Sequence, residues 1–186
     1  VSAEKISVVW LAPNSIFHLI DPAALNESRS RWQLPDRFIL FTGTLEPRKN
    51  IAGLLRAYRR LLDQTHDSID LLLAGARGWL FDETRRLIDQ LHLTERVRLI
   101  EAPADSDLVT LYNLATVYVQ PSFYEGFGLT VLEAMACGAP CIISARGSLP
   151  EIAGEAALTI DPEDGAQLTN ALERVLGDQE LQNDLK

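Results

Sequence analysis

The sequence predicts a doubly wound α/β domain, in which a parallel sheet carries helices on both faces. The first observation behind this prediction is that short apolar runs alternate with segments whose apolar residues recur at helical spacing. The second is size and balance, since 186 residues, 47% of them hydrophobic and 23% charged, suit one domain with its own core. Right-handed crossovers between parallel strands leave few other folds for this alternation.

The first two strand-helix units lie between residues 38 and 91. Residues 38–41 (FILF) form a buried-strand pattern that Gly43 closes, and apolar residues at helical spacing follow from Ile51 to Leu62. Residues 70–75 (DLLLAG) repeat the strand pattern. A second amphipathic stripe then runs from Leu80 to Leu91 and predicts the next helix.

The same alternation continues through the second half of the chain. Pro162 stands near the first turn of the last predicted helix, where a missing N–H is harmless. The strands are predicted at residues 97–100, 117–119, 141–143 and 158–160, and the helices at about 106–115, about 128–137 and 162–176.

The first 35 residues differ from the rest and are predicted to be a lead-in that packs on the domain as an interdomain junction. Pro and Asn residues punctuate this segment, and residues 8–11 (VVWL) are its one strand-like run. The domain itself is expected to span residues 36–186. Because the chain starts without Met and soon reaches regular patterning, we expect it to be part of a longer protein.

Charge and cysteine content exclude several kinds of partner. Seventeen basic and 26 acidic side chains give a net charge of -9, which opposes general attraction to nucleic acid or to an anionic bilayer. Cys137 and Cys141 are too few ligands for a zinc site and are predicted to be buried thiols. His18, His66 and His92 have no nucleophile or metal partner in sequence, so no role is assigned to them.

The end of the first strand carries two cations directly ahead of a helix. In residues 43–50 (GTLEPRKN), Arg48 and Lys49 precede Asn50, a plausible N-cap. Cations beside the positive end of a helix suit a diphosphate. The alternative interpretation is two solvated surface cations.

The end of the fourth strand predicts a phosphate-binding loop. Gly126 and Gly128 allow a sharp turn into a helix, whose first free N–H groups form a cradle for an anion. Glu133 lies further along that helix and could accept hydrogen bonds from a sugar diol, while Glu125 stays on the loop. The alternatives are a capping or solvated role for both carboxylates, or a catalytic pair of glycosidase type.

The loop after the fifth strand, residues 146–152, contains Gly147 and leads into a short helix. It could line the same crevice, because parallel strands end at the same edge of the sheet. By itself this loop has no distinctive chemistry.

These loops together resemble the signature of the family 4 retaining glycosyltransferases. The resemblance covers about residues 38–176 and includes Glu125 and Glu133, with seven residues between them. It implies a Rossmann-like domain, the C-terminal half of a GT-B enzyme. The stretches that carry it are residues 43–50 (GTLEPRKN), 121–129 (PSFYEGFGL), 132–140 (LEAMACGAP) and 147–151 (GSLPE).

The resemblance also implies a role for individual residues. Lys49 and Arg48 would bind the donor diphosphate and act in catalysis together with Glu125, which would face the transferred sugar. Glu133 would bind the ribose hydroxyls, and the base would lie near residues 98–100. The remaining donor-binding positions are Gly43, Thr44, Phe127, Gly128, Leu129 and Thr130.

Two positions depart from the family's pattern. Thr44 stands where many members carry Arg, which leaves Arg48 as the second cation. Glu101 stands where a Gly often follows the third strand, so the base pocket is expected to differ.

The function implied is retaining transfer of a hexose from a nucleotide sugar, GDP-mannose or UDP-glucose, to an acceptor hydroxyl in polysaccharide biosynthesis. No metal or other cofactor is expected. The acceptor, a glycan or lipid-linked sugar, would bind an N-terminal domain that this sequence lacks, so the isolated chain would bind donor without turnover. The expected location is cytoplasmic, with peripheral association at the inner membrane face through that missing half.

Three other functions were weighed against this one. A non-catalytic nucleotide-sugar-binding module and a sugar-nucleotide epimerase of the same architecture remain alternatives. A dehydrogenase is disfavoured, because no Gly-x-Gly-x-x-Gly opens the first strand-helix unit.

Overall fold

A computed structural model describes residues 2–5, 7, 9–65 and 68–186. Within these residues, six parallel strands form one sheet with the order β3-β2-β1-β4-β5-β6. This arrangement confirms the predicted doubly wound α/β fold. The strands are β1 (Phe38–Thr42), β2 (Asp70–Gly75), β3 (Val97–Glu101), β4 (Val117–Gln120), β5 (Cys141–Ser144) and β6 (Ala157–Ile160).

Helices connect the strands and cover both faces of the sheet. A 3₁₀ turn, Pro47–Lys49, precedes the second helix. The α-helices are α1 (Pro22–Trp32), α2 (Ile51–Thr65), α3 (Phe81–Gln90), α4 (Asp105–Leu114), α5 (Leu129–Ala136), α6 (Leu149–Ala153), α7 (Gly165–Gly177) and α8 (Gln179–Asp184).

Each central strand supplies side chains to two separate cores. In β1, Ile39 and Phe41 pack in the core under α2, α3 and α7, whereas Phe38 and Leu40 pack in the core under α4 and α5. All five residues of β1 are buried. A strand covered on both faces therefore reads as a continuous apolar run, which is why this pattern predicted the strand correctly.

The strand order reverses between β1 and β4. From this pair, the chain winds outward through β2 and β3 on one side and through β5 and β6 on the other. In open parallel sheets, ligands bind at the carboxyl ends of the strands where the order reverses. Thr42 and Gln120, the last residues of β1 and β4, mark that position here.

The lead-in is more ordered than its sequence predicts. It contains helix α1, which Asp21 caps by accepting a hydrogen bond from the Ala23 N–H at 2.8 Å. Its low hydrophobic periodicity explains why the helix was missed. Phe17 packs edge-on against the Tyr112 ring of α4, with ring centroids 5.9 Å apart.

The strand-like run at residues 8–11 is not a strand over residues 9–11, and Val8 lies outside the described residues. Trp10 is 66% exposed there. An apolar run pairs as a strand only when a sheet edge is available to it. The described part of this run therefore belongs to the lead-in, as predicted for residues 1–35.

The last predicted helix begins later than expected. Residues 162–164 form a turn, and α7 starts at Gly165. The Asp164 carboxylate accepts hydrogen bonds from the N–H groups of Ala166 and Gln167 and so fixes the start of the helix. A true N-cap therefore overrides the proline signal at Pro162.

Both cysteines are buried and free, as predicted. Burial raises the pKa of the Cys141 thiol to about 12, and burial together with the charge of Glu133 raises that of Cys137 to about 11. They are therefore protonated, inert parts of the core. Among the described helices, none is long and apolar enough to cross a membrane.

We predict that Gly75→Ala destabilises the fold at the site edge. Gly75 has φ +156°, and a Cβ added there would lie 2.0 Å from the Gly43 carbonyl oxygen, so β1 and β2 would have to separate. The expected loss in the free energy of unfolding is about 2 kcal/mol or more. Urea denaturation followed by circular dichroism measures it.

Gly177→Ala is the matched control, because nothing lies within 4 Å of a Cβ added at the end of α7. It should leave stability unchanged or raise it by a few tenths of a kcal/mol. Equal effects of the two substitutions would contradict the close approach of β1 and β2.

Candidate functional site

The loops after β1 and β4 are tied together at the point where the strand order reverses. The Phe123 N–H donates to the Arg48 carbonyl oxygen at 2.9 Å. Asn50 accepts from the Gly53 N–H at 3.2 Å, which confirms it as the N-cap of α2. Its amide also donates to the carbonyl oxygens of Pro121 and Pro162, at 3.2 and 2.8 Å, so one side chain joins three loops.

A buried ion pair between Lys49 and Glu125 lies at the centre of this region. Lys49 Nζ donates to Glu125 Oε1 at 2.6 Å, and each residue is 8% exposed. Gly43 lies beside the pair, since a Cβ added there would be 3.6 Å from Lys49 Nζ. Two residues 76 positions apart in sequence therefore share one desolvated contact, and the interpretation of Lys49 as a solvated cation is wrong.

Glu125 is held by two further donors that sequence reasoning missed. Gln120 Nε2 and Ser122 Oγ each donate to Glu125 Oε1 at 2.7 Å. Both residues are fully buried. The sequence did offer a signal, the polar side chain of Gln120 at the end of an apolar strand, because a buried amide needs hydrogen-bond partners.

The surroundings of Glu125 favour its ionised form. Burial acts to raise the pKa of this carboxyl, but the hydrogen bonds from Lys49 and Ser122 and the charge of Lys49 outweigh it and hold the pKa below its ordinary value. Glu125 therefore stays a carboxylate at neutral pH.

Arg48 reaches the same carboxylate from the surface. Its guanidinium donates to Glu125 Oε2 at 3.1 Å, to the Tyr124 carbonyl oxygen at 2.7 Å and to Glu46 Oε1 at 2.6 Å. Burial acts to lower the pKa of Arg48, but the hydrogen bond and charge of Glu125, and those of Glu46, raise it. Its side chain remains 42% exposed, so it can meet a ligand without losing Glu125.

The loop into α5 turns sharply at Gly128, one of the two glycines predicted to allow this turn. Gly128 adopts φ +100° directly before Leu129, the first residue of the helix. As at any helix start, the N–H groups of Leu129 and Thr130 have no intrahelical acceptor. They point toward the carboxyl edge of the sheet together with the positive end of the helix.

The loop after β5 packs against the loop into α5, as expected for strands that end at the same edge of the sheet. Ser148 Oγ donates to the Phe127 carbonyl oxygen at 2.7 Å. A Cβ added at Gly147 would lie 2.8 Å from the Glu125 carbonyl oxygen, and one at Gly128 would lie 2.6 Å from Leu149 Cδ2. Glycine is therefore required where the two loops touch.

Glu133 is half-buried on α5 and has a specific partner. Tyr112 donates its hydroxyl hydrogen to Glu133 Oε2 at 3.0 Å, a contact that sequence reasoning missed because Tyr112 lies on another helix. Burial, with a smaller contribution from the charge of Asp105, raises the pKa of Glu133, although the Tyr112 hydrogen bond opposes this. Glu133 is thus neither exposed nor a mere surface residue.

The base was predicted to lie near residues 98–100, and the side chains there have other partners. Arg98 donates to the Gln33 carbonyl oxygen at 3.0 Å and so turns toward the lead-in, and Ile100 is buried. At the carboxyl end of β3, Glu101 instead forms an ion pair with Arg77, and each side chain is about half exposed. The hydrogen bond from Arg77 lowers the pKa of Glu101, which stays ionised.

Thr44 is exposed on the loop after β1. No group of three or more His, Cys, Asp or Glu side chains in the described part of the chain could hold a metal ion.

Comparison with known proteins identifies relatives of this architecture. A family profile described as "Glycosyl transferases group 1" matches residues 25–186. The chain is 42% identical over 163 residues to the O-antigen chain mannosyltransferase B of Escherichia coli, covering 87% of this chain and 43% of that protein. It is 34% identical over 191 residues to a serotype-specific mannosyltransferase, WbdA, of the same species, covering 100% and 23%.

Among solved structures, sucrose-phosphate synthase from Thermosynechococcus elongatus superimposes with a TM-score of 0.81 at 32% identity, covering 94% of this chain and 44% of that one. The chain thus spans less than half the length of these relatives.

We predict that Glu125→Gln lowers stability in a pH-dependent way. At pH 7 the substitution leaves the buried Lys49 charge without its carboxylate, and the expected loss in the free energy of unfolding is about 3 kcal/mol. Because folding lowers the pKa of Glu125, its carboxylate stabilises the fold at pH values above the unfolded pKa of about 4.3. This stabilisation is lost as the pH falls through the folded pKa.

Urea unfolding of both proteins between pH 3 and pH 7 tests this. The difference between wild type and variant should shrink at the acid end. Glu173→Gln, an exposed change on α7, is the control and should have little effect. A wild-type–variant difference that is the same at every pH would contradict an ionised, ion-paired Glu125.

Proposed function

The chain belongs to the glycosyl transferases group 1 family, and on that premise we propose that it is the nucleotide-sugar-binding half of a retaining mannosyltransferase. The transferase class follows from the family and from the mannosyltransferase relatives. The retaining course, the donor and the residue roles below are our proposals.

One observation supports the proposal most strongly. Where the strand order reverses between β1 and β4, the following loops bring two cations next to the start of helix α5, which also carries the half-buried Glu133. A nucleoside diphosphate presents two phosphates next to a ribose diol. Lys49, Arg48 and the first turn of α5 suit the phosphates, and Glu133 suits the diol.

The cations would act on the leaving group. As the bond between the sugar and the diphosphate breaks, negative charge builds on the departing nucleoside diphosphate. Lys49, Arg48 and the N–H groups of Leu129 and Thr130 would stabilise that charge from fixed positions. No metal or other cofactor is proposed, because these groups supply the positive charge that a metal ion would otherwise bring.

Glu125 would contribute by holding the cations in place. Its two carboxylate oxygens already accept hydrogen bonds from Lys49, Gln120, Ser122 and Arg48. Such a carboxylate is a poor candidate for the proton transfer of a glycosidase pair. The part of the loop that would face the transferred sugar is then the backbone at Phe127 and Gly128, with Gly43 and Thr44 on the opposite wall.

The donor nucleotide is proposed to be GDP, and the sugar mannose. The ionised Glu101 lies at the carboxyl end of β3, in the region expected for the base. Guanine offers adjacent N1–H and N2–H donors to a carboxylate, whereas uracil offers one N–H between two carbonyl oxygens that a carboxylate would repel. The names of the E. coli relatives favour mannose.

The acceptor is proposed to be a hydroxyl of a glycan or lipid-linked sugar, bound by a second domain of the whole protein. Cytoplasmic location and peripheral association with the inner membrane face are proposed through that domain. The isolated chain would therefore bind donor without transferring the sugar.

We predict that Lys49→Gln and Glu133→Gln each weaken binding of GDP-mannose at least tenfold. The first removes a cation from the diphosphate, and the second replaces the charged acceptor of the ribose hydroxyls with a neutral amide whose nitrogen can only donate. Losing one charged hydrogen-bond partner costs about 1.5–3 kcal/mol. Isothermal titration calorimetry of the chain measures the dissociation constants.

Lys186→Ala and Glu173→Gln are matched controls, since both residues are exposed and lie outside the crevice. They should bind donor like wild type. The proposal is wrong if wild type binds neither GDP-mannose nor UDP-glucose, or if the crevice variants bind as tightly as wild type.

A separate prediction concerns the base. Glu101→Gln should reduce the preference for GDP over UDP several-fold, because a neutral amide can also donate to the uracil carbonyls. Competition calorimetry with the two free diphosphates measures the ratio. An unchanged ratio would remove Glu101 from the base site and leave the phosphate assignment untouched.

A further inference from the structure

A buried chain of hydrogen bonds joins the two glutamates of the site. From the Glu133 end, Tyr112 contacts Glu133 at 3.0 Å and Thr42 contacts Tyr112 at 2.7 Å. Thr42 also contacts the Tyr118 hydroxyl at 3.2 Å, and Tyr118 donates to Gln120 Oε1 at 2.7 Å. Gln120 then donates to Glu125 Oε1, as described above.

The four intermediate residues come from three different elements and are almost completely shielded from water. Tyr112, Tyr118 and Gln120 are 0% exposed and Thr42 is 1% exposed. Tyr112 belongs to α4, Thr42 ends β1, and Tyr118 and Gln120 belong to β4. Because water cannot supply missing hydrogens here, the side chains themselves must provide every hydrogen that the chain uses.

A count of hydrogens shows that this chain of hydrogen bonds is complete only when Glu133 is protonated. Four contacts link Glu133 to Gln120 Oε1, and each needs one hydrogen between its two oxygens. Tyr112, Thr42 and Tyr118 carry one hydroxyl hydrogen each, and the Gln120 oxygen carries none. With Glu133 ionised, three hydrogens serve four contacts. With Glu133 protonated, four hydrogens serve four contacts, all donated in one direction toward Gln120.

With Glu133 ionised, the missing hydrogen is in the middle of this chain of hydrogen bonds. If Tyr112 donates to the Glu133 carboxylate, Thr42 must donate to Tyr112 and has no hydrogen left for Tyr118. The Thr42–Tyr118 contact is also the longest of the four, at 3.2 Å. The Thr130 hydroxyl lies against Tyr118 as well, but it adds one contact and one hydrogen and so leaves the balance unchanged.

We propose that Tyr112, Thr42, Tyr118 and Gln120 are positioning residues that form a proton-ordered relay across the donor site. The relay is complete when Glu133 holds a proton and lacks one hydrogen when Glu133 is ionised. A sugar diol donates both of its hydrogens and so requires the ionised form. This functional reading rests on the proposed binding of the donor ribose at Glu133.

At pH values below the pKa of Glu133, donor binding then releases a proton and reverses the hydrogen bonds that join Glu133, Tyr112 and Thr42. The Tyr118 bond to Gln120, whose amide holds Glu125, keeps its direction. Affinity for the donor should therefore fall as the pH drops below the pKa of Glu133. The titratable and charged groups that face Glu133 are Tyr112 and Asp105 of α4 and the thiol of Cys137. Burial keeps the thiol protonated, so Glu133 itself is the group that titrates.

The first test needs no ligand. Carbon-13 NMR of the glutamate carboxyls, with Glu133 assigned by its loss in Glu133→Gln, measures the pKa of Glu133 in the chain. Tyr118→Phe should lower this pKa by roughly 0.5–1 pH unit, although Tyr118 does not touch Glu133. The contacts that remain are Glu133–Tyr112 and Tyr112–Thr42. With Glu133 ionised, the hydroxyl hydrogens of Tyr112 and Thr42 then fill both. Thr42→Val should shift the pKa of Glu133 in the same direction.

Tyr112→Phe is the matched opposite, since it removes the hydrogen donated directly to the carboxylate and should raise the pKa. A Glu133 titration that Tyr118→Phe and Thr42→Val leave unchanged, or move upward, would overturn the relay. Should Tyr118→Phe fail to fold, the sign of the shift in Thr42→Val decides.

The second test measures the affinity for GDP-mannose by calorimetry across the same pH range. The wild-type protein should lose affinity by up to tenfold per pH unit below the pKa of Glu133. Tyr118→Phe should show the same loss at lower pH. Glu133→Gln should lack this pH-dependent step in affinity. If no protein binds GDP-mannose at any pH, the proposed function fails while the NMR titration still decides the relay. A wild-type affinity without the step would overturn the link between relay and donor.

Discussion

The structure of the site depends on the buried contact between Lys49 and Glu125. A charge removed from water needs a partner of opposite sign and further hydrogen bonds, and this requirement brings Gln120 and Ser122 to the same carboxylate oxygen. The β1 and β4 loops are thereby held at a fixed separation. The pair is costly to bury, so we attribute its presence to placing a cation at the crevice, with stability as a secondary gain.

This local arrangement reconciles a net charge of -9 with an anionic ligand. The long-range field of the chain repels phosphate, but Lys49, Arg48 and the start of α5 gather N–H donors at one edge of the sheet, where Glu125 and Glu46 balance the charges of the two cations. The two hydrophobic cores support that edge, because packing on both faces of β1 and β4 fixes where their last residues lie. The proposed donor site thus relies on a small, rigid group of N–H donors and not on the net charge of the chain.

The two glutamates show how environment separates chemically identical groups. Hydrogen bonds and the Lys49 charge lower the pKa of Glu125, whereas burial beside Asp105 raises that of Glu133. Differences of this kind commonly assign separate tasks to paired carboxylates. Here the ionised one holds cations, and the one that more readily accepts a proton faces the proposed diol. The hydroxyl chain between them makes the two environments parts of a single network.

The sequence alone determined the alternation of strands and helices, the buried cysteines, the N-cap at Asn50 and the loops that form the crevice. These features are local: apolar periodicity and turn-forming glycines act over a few residues and can be read directly. Helix α1 was not predicted because its apolar residues show only weak helical periodicity. The start of α7 was misplaced because the Asp164 cap outweighs Pro162.

Only the tertiary structure decided which residues contact one another in the site. Lys49 meets Glu125 across 76 positions and Thr42 meets Tyr112 across 70. Such contacts arise when the sheet brings the ends of distant strands together, and they depend on side-chain directions that spacing in the sequence does not encode.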